Sequence, residues 1–487
     1  MTEIFVGSGD ADRSSSTAGA SRDAHQARRV IDTAGDAGRA SGATGMARDA
    51  GRASEAARAA TPRDAIFANS LVVTLDQAAE LPFAAQAVAR IREAQARGSV
   101  SENVAVFPGF CDVHVHLREP GQSAKETIAT GTRAAARGGF TTVCAMPNLD
   151  PVPDTLENLA LEEALIARDA VIETLPYASA TTTQAGAAIT PIGELAQRAI
   201  GFSDDGHGLD DPDLMEAALR EIAKAGSIIA IHAEDGALRP AGSSINAGPL
   251  AEKLGLIGIP KEAEYAQIAR DLEILRRLAA ENIFPAYHVC HVSCPESVEL
   301  LTAAKAEGLN VSCETAPHYL LLDESQIPGD NGHFKMNPPL RKPSDREAIA
   351  NALAAGTIDF IATDHAPHTA EEKARGLAGS AFGIVGIETS FALIDTHFVE
   401  TGGITLERAV ELFTTAPRAR FNIPARAGDL TIWDLGADAT IDPADFASKG
   451  RATPFAGWKV RARCLATFAA GREVYTGVGS PAEPGRK

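Results

Sequence analysis

Two histidines, His114 and His116, stand two residues apart in the run FCDVHVHLR. On an extended strand alternate residues share a face, so both imidazoles point the same way. Imidazole is a common ligand for zinc and related divalent ions, although an isolated HxH pair is weak evidence for a site. The pair gains meaning from its company. Asp205 ends the run IGFSDDG, His232 lies late in IIAIHAED, His291 late in AYHVCHVS, and Asp364 late in DFIATDHAPH. Four imidazoles and two carboxylates are enough to hold two metal ions with one bridging carboxylate. A bound divalent ion lowers the pKa of its water from near 16 to about 7. That chemistry delivers hydroxide to an amide carbonyl whose oxygen the metal also polarises. The leaving nitrogen needs a proton, and Asp364 suits the shuttle because it can reach both the metal water and the substrate.

Other polar residues fit substrate recognition. Arg118 lies two residues past His116 on the same expected strand face. A guanidinium there suits a substrate carboxylate through a bidentate contact, with a surface ion pair to Glu119 as the alternative. Asn148 ends the run TTVCAMPN, and Asn337 lies in KMNPPLR, a Pro-rich, non-helical loop placed to act as a lid. His368 closes DFIATDHAPH, and Phe382 and Gly383 belong to the Gly-rich loop AFGIVG beyond it. Cys290 and Cys294 flank His291, but better ligands stand beside them.

The elements that must gather these groups are legible as a repeat. Eight short apolar, β-branched runs alternate with helix-like stretches such as PDLMEAALREIAKAG between about residues 104 and 417. Alternating β and α units predict a parallel sheet, and eight of them predict a closed (β/α)8 barrel. In such a barrel the C-terminal strand ends meet at one face, where active sites are built. After Pro417 the texture changes. GDLTIWDL, WKVRARCLATFAAG and REVYTG predict short strands of a small β subdomain over 418–480, to which IFANSLVVTL within 64–103 is expected to contribute. The α/β architecture expected is thus a (β/α)8 metal-dependent hydrolase barrel with a small β subdomain formed by chain-terminal segments. Residues 1–63 are rich in Ala, Gly, Arg, Ser and Asp, contain DAGRAS twice, and predict a disordered, low-complexity extension. Its acidic residues oppose a transit peptide, and Met46 is a candidate internal start. Residues 481–487 read as a tail.

Composition narrows the class. The chain has 487 residues and 45% hydrophobic residues, an ordinary soluble globular balance. A formal charge of −19 argues against nucleic acid and anionic membrane as partners, because phosphate binding needs clustered Lys and Arg. A small anionic substrate in a locally positive pocket remains compatible. Six scattered cysteines without a paired CxxC predict free, buried thiols in a reducing cytosol. With no membrane span and no signal peptide expected, the cytoplasm is the default location.

The segments PGFCDVHVHLREPG, TTVCAMPN, FSDDG, HAED, HVCHVS, KMNPPLR, DFIATDHAPH and AFGIVGIET resemble, one by one, those of the bacterial type I dihydroorotases of the amidohydrolase superfamily. The resemblance runs from about Pro108 to about Tyr475. It implies reversible cyclisation of N-carbamoyl-L-aspartate to L-dihydroorotate in de novo pyrimidine biosynthesis, with one or two zinc ions per subunit. By similarity His114 and His116 bind the first ion and His232 and His291 the second. Asp205, preferred over its neighbour Asp204, is the implied bridge. Many relatives use a carbamylated lysine there, and IGFSDDG contains none. Asp364 resembles the metal-bound general acid/base. Arg118, Asn148, Asn337 and His368, with His116, resemble the substrate-binding set, and Phe382 and Gly383 its main-chain contacts. Asp204, His318 and His365 are implied to support the site from outside. A homo-oligomer is expected, and association with aspartate transcarbamoylase is compatible with activity. The competing readings are a hydantoinase- or allantoinase-like cyclic amidohydrolase, and an inactive scaffold partner of aspartate transcarbamoylase. Residues 1–103 depart from the family's usual opening β segment.

Overall fold

The computed structural model describes residues 65–478. The expected extension over 1–63 and the tail over 481–487 lie outside the described residues.

Seven short strands run in parallel around the barrel: Phe110–Val115, Phe140–Ala145, Glu173–Pro176, Ile228–Ile231, Ala286–Val289, Val311–Thr315 and Phe360–Ile361. The run IGFSDDG occupies the remaining place, between the third and fourth of these. Only Phe202 pairs there, bridging Ala178 on one side and Ile229 on the other. The ring closes where Val115 bridges His365, and Thr363 beside it donates from both its backbone N–H and its hydroxyl to the buried Asp112 carboxylate. The first two strands are buried along their whole length, which is why their runs are mostly apolar and why Asp112 needs its hydrogen bonds from Thr363.

The helices between strands carry their boundaries in the sequence. Pro212–Ala225 is typical: Asp211 caps its first amides, Pro stands in its first turn, and Gly226 ends it at φ 62. Met215, Ala218, Leu219 and Ile222 recur at helical spacing and are its buried residues.

A five-stranded antiparallel sheet stands beside the barrel, in the order Val73–Thr74, Val104–Pro108, Leu430–Asp434, Arg463–Ala469, Arg472–Thr476. Chain-terminal segments thus build the subdomain, but the early one differs from expectation. It supplies a single two-residue strand and two helices, Leu75–Ala79 and Ala85–Ala96. Thr74 ends the strand because it and Gln77 form a reciprocal capping box that starts the first helix. The second helix is rich in good helix formers and buries Ala87, Val88, Ile91 and Ala94. All six cysteines are buried and free. Among the described residues no helix is long and apolar enough to cross a membrane.

Candidate active site

The polar strand ends converge on one pocket, whose lining includes His116, Arg118, Asn148, Asp205, His232, His291, Asn337, Asp364, His368, Phe382 and Gly383. Three of its residues hold left-handed backbone angles that non-glycine residues rarely adopt: Arg118 at φ 63, His291 at φ 34 and Asp364 at φ 45. Each lies just past the end of a barrel strand. Such strain, where a surrounding structure enforces it, concentrates at functional sites.

Asp205 is the centre of the arrangement. Its Oδ1 lies 3.3 Å from His114 Nε2, 3.7 Å from His291 Nε2 and 3.8 Å from His232 Nδ1, and its Oδ2 lies 3.4 Å from His116 Nε2. Asp364, at the end of the neighbouring last strand, faces the HxH pair, with Oδ1 3.1 Å from His116 Nε2 and 3.6 Å from His114 Nε2. His232 Nδ1 and His291 Nε2 point at each other across 3.0 Å. His114, His116 and Asp364 form one group that can hold a metal ion, and His114, Asp205 and His291 another. His114 Nε2 and Asp205 Oδ1 are buried with no hydrogen-bond partner. Leaving such atoms unsatisfied is costly, and a cation between them would satisfy both. The donor set of nitrogen and oxygen therefore fits a divalent metal such as zinc.

Electrostatics agree with that fit. Burial raises a carboxyl's pKa, yet the surrounding imidazoles hold Asp205 and Asp364 well below the usual carboxylate range. Both are therefore anions in a buried cluster, a field that favours positive charge.

Outside the cluster, further groups fix the imidazoles. Glu314 Oε1 lies 2.8 Å from His114 Nδ1, and its Oε2 lies 3.2 Å from His288 Nε2. Against the opposing effect of burial, those two histidines bring Glu314 down to about 2. Asn148 Oδ1 lies 2.8 Å from His116 Nδ1, so its carbonyl accepts the proton that leaves Nε2 free for the cluster. Glu234 Oε2 lies 3.7 Å from His232 Nε2, accepts from Asn337 Nδ2 and pairs with Arg239. Carboxylate–histidine pairs of this kind orient metal ligands and raise their basicity.

The substrate side is dominated by Arg118. The residue is only 6% exposed, and among the described residues no carboxylate lies within 4.0 Å of its guanidinium. Glu119, the alternative partner considered from the sequence, instead accepts from the Ile128 amide. Arg118 Nε donates to the Pro367 carbonyl at 3.3 Å, one of its outer nitrogens stands 3.4 Å from His368 Nε2, and the residue lines the pocket. Burial lowers its pKa to about 10, so it remains a cation at neutral pH. His368 Nε2 stands 2.6 Å from the Phe382 carbonyl and must donate to it. Burial and the Arg118 charge push His368 down to about 3, which keeps it neutral.

Every candidate site residue read from the sequence falls in or against this pocket. Asn148, however, touches a cluster histidine as closely as it lines the pocket. Asp204 turns away, accepting from the Ala180 and Thr181 amides at 2.8 and 3.0 Å. His365 faces Glu126, and His318 is buried against Tyr319. Cys294 donates to Glu264, whereas Cys290 lies in a third potential ligand group with His114 and Glu314. Sequence reasoning passed over Glu314, Glu234 and Arg239. The first two sit at the polar ends of their runs, a position that could have marked them.

The family model described as Dihydro-orotase-like matches residues 104–297. Among curated proteins, the dihydroorotase of Shouchella clausii is 50% identical over 377 residues, 76% of this chain and 87% of that protein. The dihydroorotases of Halalkalibacterium halodurans and Listeria monocytogenes are each 48% identical with the same coverage. Among solved structures, L-hydantoinase (dihydropyrimidinase) from Arthrobacter aurescens aligns with a TM-score of 0.65 at 25% identity, covering 78% of this chain and 86% of that one. D-hydantoinase from Thermus sp. aligns with a TM-score of 0.66 at 24% identity over the same shares. The fold is therefore that of the cyclic amidohydrolases, a (β/α)8 barrel with a small β domain.

Proposed function

The chain belongs to the dihydroorotase family, and from that premise we propose that its barrel-end pocket interconverts N-carbamoyl-L-aspartate and L-dihydroorotate with zinc as its metal. The observation that carries the reading is the Asp205 carboxylate lying 3.3–3.8 Å from four imidazoles, beside a buried guanidinium without a carboxylate of its own.

His114, His116 and Asp364 would hold one ion and His232 and His291 the other, with Asp205 between them. When bound, the metal supplies Lewis acidity, polarising a carbonyl and lowering the pKa of water to about 7. The protein's own residues do the rest. Asp364 is an anion at neutral pH and faces the cluster through Oδ1. It can take up a proton there and deliver it to the ring nitrogen as the amide opens, and return it on closure. Arg118 offers two nitrogens in a fixed fork to the substrate carboxylate. Asn148 and Asn337 add amide groups, and neutral His368 keeps the Phe382–Gly383 backbone in place through its bond to the Phe382 carbonyl. Sequestration of the site in a buried pocket strengthens each of these charge interactions.

A hydantoinase-like specificity is the second reading, since the solved relatives bear that name. The unpaired Arg118 favours a substrate with a free carboxylate, and IGFSDDG lacks a bridging lysine. The complete ligand set disfavours an inactive scaffold. Zinc stoichiometry, a homo-oligomeric assembly, a cytoplasmic location and association with aspartate transcarbamoylase belong to the same proposal.

The test is ring opening of dihydroorotate followed by ultraviolet absorbance, using protein produced with zinc and desalted, with Asp364→Ala alongside. Turnover that disappears in the variant and on chelation is expected. A wild-type protein that binds zinc yet leaves dihydroorotate intact, with or without aspartate transcarbamoylase, overturns the substrate assignment.

A further inference from the structure

Lys373 is a buried lysine that the proposed chemistry does not use. It ends the short helix Ala370–Lys373, which begins directly after His368 and Thr369. Its side chain is shut off from solvent, and the residue is 3% exposed. Among the described residues no carboxylate lies within 4.0 Å of Nζ. Instead the ammonium donates to three backbone carbonyls: Gly383 at 2.7 Å, Ala381 at 2.9 Å and Lys335 at 3.0 Å. An ammonium has three donors, and all three are used.

The identity of the acceptors gives the arrangement its meaning. Ala381 and Gly383 flank Phe382, whose loop forms one wall of the pocket. Lys335 lies two residues before Asn337, on the loop that forms the adjoining wall. The two loops also meet through a backbone bond, Gly383 N–H to the Lys335 carbonyl at 3.0 Å, through Lys335 Nζ donating to the Ala378 carbonyl at 3.0 Å, and through the Leu377 amide donating to the Asp330 carboxylate. They also share the Lys335 ammonium, which stands 4.4 Å from the Phe382 ring centre. Burying an ammonium without a counter-ion is costly. Here it is held by main-chain dipoles alone, a use that ordinary packing does not require. Burial and the nearby Lys335 charge bring Lys373 down to about 7, the direction expected of a buried ammonium without a counter-ion.

We propose that Lys373 is a positioning residue for substrate binding, its ammonium joining the Asn337 loop to the Phe382–Gly383 loop so that the wall facing the metal-ligand cluster is held in its binding shape. It is not itself part of the pocket lining, touches no metal ligand, and reaches the lining only through the Gly383 carbonyl, acting through the two loops. This assignment rests on the dihydroorotase reading.

Three forms of the full-length, zinc-loaded chain test it: wild type, Lys373→Met, which keeps the length and loses the donors, and Lys373→Arg, which keeps a cation with several donors. Zinc content, kcat and KM for dihydroorotate are measured on each, together with the rate of tryptic cleavage after the exposed Arg375. The expected result for Lys373→Met is a KM raised about tenfold or more, kcat within threefold of wild type, unchanged zinc content and faster cleavage at Arg375. Lys373→Arg should recover part of the KM. A Lys373→Met protein with wild-type KM and cleavage rate overturns the proposal, and so does failure of both variants to fold and load zinc, which would make Lys373 a folding residue only. Wild type that does not turn over dihydroorotate refutes the functional reading instead. In that event the Arg375 cleavage rates still decide whether Lys373 clamps the loops.

Discussion

Glu314 shows how much of the centre depends on groups that do not belong to the ligand set. Its carboxylate lies 2.8 Å from Nδ1 of His114, whose other ring nitrogen faces Asp205. Removing the charge while keeping the shape, as in Glu314→Gln, should weaken metal binding by about 10–100-fold, the usual cost of losing such an outer carboxylate. Competition with a chromophoric chelator would measure it. An affinity within threefold of wild type would show that His114 holds its orientation without Glu314. Its place at the polar end of its run marks Glu314 as a candidate, but the sequence does not name its partner, which is 200 residues away in the chain.

The loops after the strands shape the pocket through backbone conformations that few residues tolerate. Gly383 sits at φ 128, and a Cβ there would stand 2.7 Å from the Ala366 side chain and 2.8 Å from its carbonyl oxygen. Gly383→Ala should therefore cost about 1–3 kcal/mol, in the range of strained backbone positions, and raise the KM because Phe382 and the loop must shift. Urea denaturation and steady-state kinetics read the two effects separately. Unchanged midpoint and KM together would mean that the loop relaxes freely. The helices and most strands followed from local patterns of capping and apolar spacing. The run IGFSDDG reads as a full strand but pairs only through Phe202. Past Phe202 the run serves the site: Asp205 faces the imidazoles and Asp204 ties down the neighbouring loop.

The barrel and its β sheet share one aromatic contact layer. Trp433 of the sheet lies 5.9 Å, centre to centre, from Phe110 on the first barrel strand and 4.7 Å from Phe391, and Phe110 in turn packs at 5.5 Å against Phe413. Loss of the Trp433 ring should cost about 3–5 kcal/mol. We expect Trp433→Ala to lower the midpoints of far-ultraviolet circular dichroism and of activity loss together, since the sheet and the barrel bury the same residues. Separation of the two midpoints would show instead that the sheet melts away from an intact barrel.

The sequence by itself determined the chemistry and the architecture. Histidines and aspartates at the ends of successive apolar runs can only meet if those runs lie parallel in a closed barrel, so one pattern predicts both. It also determined which helices form, because caps and apolar spacing are local. The tertiary structure alone decided which of two adjacent aspartates faces the imidazoles, that Arg118 pairs with no acid among the described residues, and that Glu314 and Glu234 stand against the cluster histidines. It alone showed that the described residues 65–103 carry two α-helices beside the one short strand Val73–Thr74, where strands were expected. The physical reason is range. These outcomes depend on contacts between residues far apart in the chain, such as His116 and Asp364 at a separation of 248, and no local periodicity records which distant group a side chain will meet.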